Sequence, residues 1–281
     1  MTAGRSPTPG RRLAPTASEM DVYLDRPAWR LELLQLVARV VIRCLFRLRV
    51  EGMEDYPTGP AVVCFNHLNW FDPFVIAAAI PGRPRFSAFG PKEADMSVGW
   101  RNRFMSWLGA PVPYHPEKDD LLVATRRVDR VLSRGRILFI AGEGRIHVGE
   151  RRLLPLSDGP AYFALRGGVP LVPLAVNGTS WLGFGRTLRI RVGRPIQPDG
   201  RPTREEIAEL TARLSAALLE LVADFPDRRP PGPRWQRITE LFNEWPEGAR
   251  PPLQPEVDAT TAGDGASHPE PAGAPERGDE L

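Results

Sequence analysis

A histidine and an aspartate stand five positions apart in Asn66-His67-Leu68-Asn69-Trp70-Phe71-Asp72-Pro73, between two apolar runs. On one continuous helix, residues so spaced point about 140° apart, so the two side chains meet only where the chain turns. Pro73 disfavours helical geometry at Asp72 and puts that turn between them. A carboxylate bonded to one imidazole nitrogen fixes the tautomer and leaves the other nitrogen as a base. The same residues have a second reading, in which Asp72 N-caps a helix starting at Pro73 and His67 is an ordinary loop histidine.

The rest of the chain narrows what such a base would act on. No G-x-S-x-G elbow supplies a serine nucleophile, and Cys64 lies three residues before His67 in an apolar run that reads as core. The four histidines, 67, 115, 147 and 268, form no H-E-x-x-H pair, and Cys44 and Cys64 form no C-x-x-C, so a metal site is not expected. A base without a nucleophile of its own suits direct attack by a substrate hydroxyl. A second segment, Phe139-Ile140-Ala141-Gly142-Glu143-Gly144-Arg145-Ile146, sets glycines on both sides of Glu143. Backbone amides approach a ligand closely at glycine, and Arg145 offers a fork suited to phosphate. Most such turns are only turns; beside a histidine base they read as a place for a phosphate-bearing acceptor.

The elements that must position these residues alternate, which argues for an α/β class. Strands are expected at 61–65, 85–89, 136–141, 170–176 and 188–192, and helices at 73–80, 98–108, 121–133 and 159–166. Thr203 with Glu206 three residues on is a capping box opening a helix to about residue 225. An earlier helix over 28–48 follows Pro27 and carries Gln35, Arg39, Arg43 and Arg47 at every fourth position. Four polar interruptions argue against a membrane span. The pattern fits either a helix on a membrane surface, with its arginines at anionic headgroups, or a core helix with one solvated face. Trp100, Arg101, Arg103, Phe104 and Trp107 fit a cluster that dips into the interface, with ordinary packing as the alternative.

The chain has 281 residues, 42% hydrophobic and 25% charged, enough for one sizeable core and unlike a disordered or polytopic protein. Two cysteines build no disulfide framework, so a reducing compartment is expected, and residues 1–20 contain no apolar stretch of the secretory kind. Residues 1–19 and 246–281, rich in Pro, Gly and Ala or Ser, are expected to stay disordered around a domain at 20–245. The net charge of +3 divides into −6 on residues 251–281 and +9 on the remainder. A basic body favours anionic partners. Only Lys92 and Lys118 of the 37 basic residues are lysine, which points weakly to a GC-rich bacterial source. No nucleic-acid reader motif is present.

Over residues 28–225 the chain resembles the glycerolipid acyltransferases typified by the lysophosphatidic acid acyltransferases. Asn66-His67 to Asp72 matches that family's N-H-x4-D block. Gly90-Pro91-Lys92-Glu93 is similar to its lysine segment, Glu143-Gly144-Arg145-Ile146 to its E-G-R-I block, and Val169-Pro170-Leu171-Val172-Pro173 to its V-P-x-V-P block. One departure stands out: Gly142 replaces the family's proline and Ala141 its phenylalanine, which is expected to loosen the loop and bear on acceptor identity.

The resemblance implies a single α/β domain with a mixed central sheet flanked by helices, at the cytoplasmic face of the membrane. It implies acyl transfer from an acyl-CoA or acyl-carrier-protein thioester to a lysophospholipid, foremost 1-acylglycerol-3-phosphate, with no cofactor. His67 would be the base and Asp72 its orienter, with Lys92, Glu143, Gly144 and Arg145 binding substrate. Pro170 and Pro173 would shape the strand near the acyl chain. Transfer to another lyso-lipid or glycolipid, or an inactive lipid-binding homologue, are the alternatives.

Overall fold

A computed structural model describes residues 24–90, 100–114 and 121–243. Both terminal stretches expected to be disordered lie outside the described residues, as does Lys92. The first element, α1 (Ala28–Leu45), ends earlier than its pattern suggests, because Phe46 is extended and the chain enters β1 (Arg47–Glu51). Leu48 and Val50 alternate there with Arg47, Arg49 and Glu51, a period-two signal hidden by the arginines. Then follow β2 (Ala61–Phe65), α2 (Asp72–Ala79), β3 (Phe86–Phe89), α3 (Trp100–Leu108), β4 (Pro111–Val112) and α4 (Leu121–Ser133). The chain continues through β5 (Ile137–Ala141), α5 (Gly159–Gly167), β6 (Leu171–Asn177), β7 (Thr187–Val192), α6 (Arg204–Val222) and α7 (Pro233–Asn243).

One seven-stranded mixed sheet runs in the order β1-β7-β6-β2-β5-β3-β4. All neighbours are parallel except β6 and β7. Its central strand β2, Ala-Val-Val-Cys-Phe, is apolar throughout because both faces are covered. Val63 and Phe65 pack toward α1 and α2, while Val62 and Cys64 pack toward α4, α5 and α6. Thr203 Oγ1 caps α6 by accepting from Glu206 N and donates to Glu206 Oε2, which also accepts from Arg201 N. Pro173 lies within β6 between the β7 ladder, which begins at Leu174, and the Leu171–Ile196 bridge; its carbonyl accepts from Gly193 N.

The first half of the polar stripe, Gln35 and Arg39, turns inward rather than to solvent. Gln35 is buried and donates to Pro81 O, and Arg39 donates to Ala78 O and Ile80 O, satisfying carbonyls at the end of α2. Of that stripe Arg43 and Arg47 are exposed and Arg39 is half-buried. The face turned outward is apolar instead: Trp29, Leu33, Leu36, Val37, Val40 and Val41 are each 41–57% exposed. No described helix is long and apolar enough to cross a membrane.

Candidate active site

Parallel neighbours β2 and β5 end side by side, with Phe65 opposite Ala141, so the two loops that carry chemistry leave the same end of the sheet. After Phe65 the chain turns over six residues into α2. Asp72 opens that helix, yet its carboxylate folds back rather than capping it. Oδ2 takes the His67 Nδ1 contact at 2.8 Å and accepts from Leu68 N at 2.8 Å and Asn69 N at 2.9 Å. Two backbone amides and the ring thus share one buried oxygen. Asp72 is fully buried and the His67 side chain 16% exposed, so the dyad has one dry end and one open end. A proton on Nδ1 leaves the Nε2 lone pair as the base.

Glu143 does not face the open side, where an acceptor head group would lie. Its Oε2 accepts from His67 N at 2.8 Å and its Oε1 from Leu154 N at 2.9 Å, with His147 Nε2 also 2.8 Å from Oε1. His147 N in turn donates to His67 O at 3.1 Å. Gly149 N donates to His147 Nδ1, which puts the imidazole proton on the nitrogen beside Glu143. Glu143 therefore braces the peptide of His67. Gly144, with φ of 64°, and Arg145 are exposed, and Arg145 has no partner among the described residues.

The loop is not loosened at Gly142. Its N–H donates to Phe65 O and its carbonyl accepts from Ser157 N, while a Cβ here would lie 2.5 Å from Cys64 Sγ. A proline would lose the first bond and strike the sulfur. Cys64 itself is buried, with its thiol pKa pushed up by burial and by the charge of Glu143, which rules against a thiolate nucleophile.

Beside the His67–Asp72 turn opens an apolar cavity lined by Trp70, Pro73, Phe74, Phe104, Leu108 and Phe242, among others. Phe242 of α7 packs on Phe71 and Phe74 with ring centroids 5.0 and 6.4 Å apart. Pro170 precedes β6 and Pro173 lies within it opposite Cys64; neither lines this cavity. Among the described residues no group of His, Cys, Asp and Glu is placed to hold a metal ion. His147 and Phe242 escape sequence reasoning: one belongs to no motif, and the other lies in a helix with few apolar positions.

The family model described as Acyltransferase matches residues 47–177, which span β1 to the end of β6 and hold both loops. Among solved structures, the chain is similar to the 1-acyl-sn-glycerophosphate (LPA) acyltransferase PlsC from Thermotoga maritima. The TM-score is 0.56 at 18% identity, covering 74% of this chain and 87% of that one.

Proposed function

Residues 47–177 match the acyltransferase family model, and on that premise we propose that the chain moves a fatty acyl group from a thioester to the hydroxyl of 1-acylglycerol-3-phosphate, giving phosphatidic acid. One observation carries the proposal: a part-exposed imidazole whose Nδ1 is held by Asp72, in a turn whose Trp70 and Pro73 line an apolar cavity. Nε2 takes the hydroxyl proton as the oxygen attacks the thioester carbonyl. The tetrahedral intermediate collapses by breaking the C–S bond, and the imidazolium returns its proton to the departing thiolate. The donor is an acyl-CoA or acyl-carrier protein, and the cavity beside Trp70 takes the acyl chain. Arg145 pairs with the acceptor's phosphate.

Thiol release from one acyl-CoA with a panel of lyso-acceptors tests this reading. Lysophosphatidic acid is expected to be the preferred acceptor; a lyso-lipid with a larger head group winning the panel would shift the acceptor, and no turnover with any would leave an inactive lipid binder. Arg145→Ala is expected to raise the KM for lysophosphatidic acid at least about tenfold, one lost charge-assisted contact, without moving the thioester KM. An unchanged acceptor KM removes Arg145 from the site.

The outward apolar face of α1 supports a further part of this reading, a peripheral or monotopic place on the cytoplasmic leaflet of the membrane. A contiguous apolar strip of this kind buries favourably in the headgroup and acyl boundary. Exposed Arg43 sits at its edge for anionic headgroups. Leu36→Glu with Val40→Glu, both at exposed positions, is expected to abolish flotation with anionic vesicles while leaving the unfolding transition in place. Unchanged flotation would detach this face from the membrane.

A further inference from the structure

Behind the dyad, outside the residues used so far, the side chain of Glu150 is fully buried. Its carboxylate gathers separate pieces of chain. Oε2 accepts from Asn177 Nδ2 and Gly178 N, both at 2.8 Å, and Oε1 accepts from Ser180 Oγ. Glu150 belongs to the loop that follows Glu143, so these bonds pin the exit of β6 to that loop. One residue back along β6, Val176 N donates to Asn66 Oδ1 at 2.7 Å, and Asn66 Nδ2 donates to Val176 O at 3.0 Å. Asn66 immediately precedes the base. Asn66, Asn177 and Ser180 are all fully buried, so a satisfied polar strut runs from Glu150 through β6 to the peptide of His67. Such a strut is costly to build and rigid once complete.

We propose that Glu150 is a positioning residue for acyl transfer, which fixes the end of β6 and, through Asn66, the backbone from which His67 reaches Asp72. The strut has a charge state of its own. Burial pushes the Glu150 pKa up to about 7 and the charge of Asp72 adds to the rise, against the opposing pull of Ser180, Gly178 and Arg228. Arg189 and Arg186 lie near Arg228, and Arg189 donates to Asn177 Oδ1 at 3.2 Å. Ionised, the carboxylate accepts from all three of its donors; protonated, it turns an O–H toward one of them. A glutamine keeps the clamp at every pH, because its carbonyl serves Asn177 and Gly178 while its amide donates to Ser180 Oγ.

The activity arm of the test rests on the acyl-transfer reading; the spectroscopic arm does not. With acyl-CoA and lysophosphatidic acid, Glu150→Ala is expected to lower kcat by about tenfold to a hundredfold, the cost of a misplaced base, with both KM values within about twofold. Glu150→Gln is expected to restore kcat and to erase an inflection near pH 7 in the kcat profile. In NMR spectra of the full chain, the bonded Nδ1 proton of His67 is expected downfield in the native protein, lost to exchange in Glu150→Ala and recovered in Glu150→Gln. A protein that transfers no acyl group to any acceptor sinks the functional reading, while this resonance still decides the positioning. A folded Glu150→Ala that keeps both kcat and the resonance overturns the proposal, as does a Glu150→Gln that recovers neither. Should Glu150→Ala fail to fold, Ser180→Ala removes one of the three bonds, and no change in either readout there overturns it equally.

Discussion

Replacing His67 with alanine is expected to lower kcat for acyl transfer by about 10²- to 10⁴-fold, the usual worth of a positioned general base. The loss falls on kcat because the ring contributes to the transition state, where the proton moves, rather than to holding either substrate. The fold is expected to survive. The backbone of His67 keeps its bonds to Glu143 and His147 whatever the side chain, and the part-exposed ring surrenders only its contact with Asp72 and an edge contact with Phe65. Stability should therefore fall by about 1–3 kcal/mol, the worth of a hydrogen bond to a charged group. Thiol release at saturating substrate, read beside a urea unfolding curve, separates the two quantities. A folded variant with near-native kcat would end the assignment of His67 as the base.

The sequence makes the dyad legible because its constraint is local: five residues, a proline and no room on a helix. The core strands β2, β5 and β6 and helices α4 and α5 are legible for a related reason, since apolar runs between turn residues have few alternatives. Less is visible where a residue's role depends on what faces it. Arg39 and Gln35 look like a solvated stripe until α2 presents its unpaired carbonyls to them. Glu143 looks like a ligand until His67 N and Leu154 N are seen to claim its two oxygens. β1 hides behind arginines on its open face, and α7 lies beyond the family's own span.

The orientation of α1 also bears on the site. With Arg39 spent on α2, the helix that holds α2 in place is the helix that offers an apolar face outward. α2 begins at Asp72, so the outward apolar face and the carboxylate of the dyad are tied together through Arg39 and α2. The aromatic contact of Trp29 with Trp107, with Arg30 lying 5.2 Å over the Trp107 ring, extends that tie to α3 and to the wall of the cavity. The cavity thus opens among the same elements that carry the outward apolar face.

Asp72→Ala is expected to be the most damaging substitution in the site, because one oxygen satisfies three groups. Removing it orphans the backbone amides of Leu68 and Asn69, both fully buried, at about 1–3 kcal/mol each, together with the Nδ1 proton of His67. A loss of about 2–6 kcal/mol is a large share of the 5–15 kcal/mol or so that holds a domain together. Urea unfolding should show it directly. In whatever fraction folds, the imidazole is free to change tautomer, so kcat should fall as far as in His67→Ala. Asp72→Asn separates the two roles. The two amides hold the asparagine carbonyl where Oδ2 was, so the Nδ1 proton keeps its acceptor and the tautomer is preserved. What goes is the negative charge that stabilises the imidazolium, worth about 1–2 kcal/mol as the difference between a charged and a neutral hydrogen bond, or about five- to thirtyfold in kcat. An asparagine variant as inactive as the alanine one would mean that the amides do not hold the carbonyl toward the ring. One with native activity would mean that the carboxylate's charge takes no part in moving the proton.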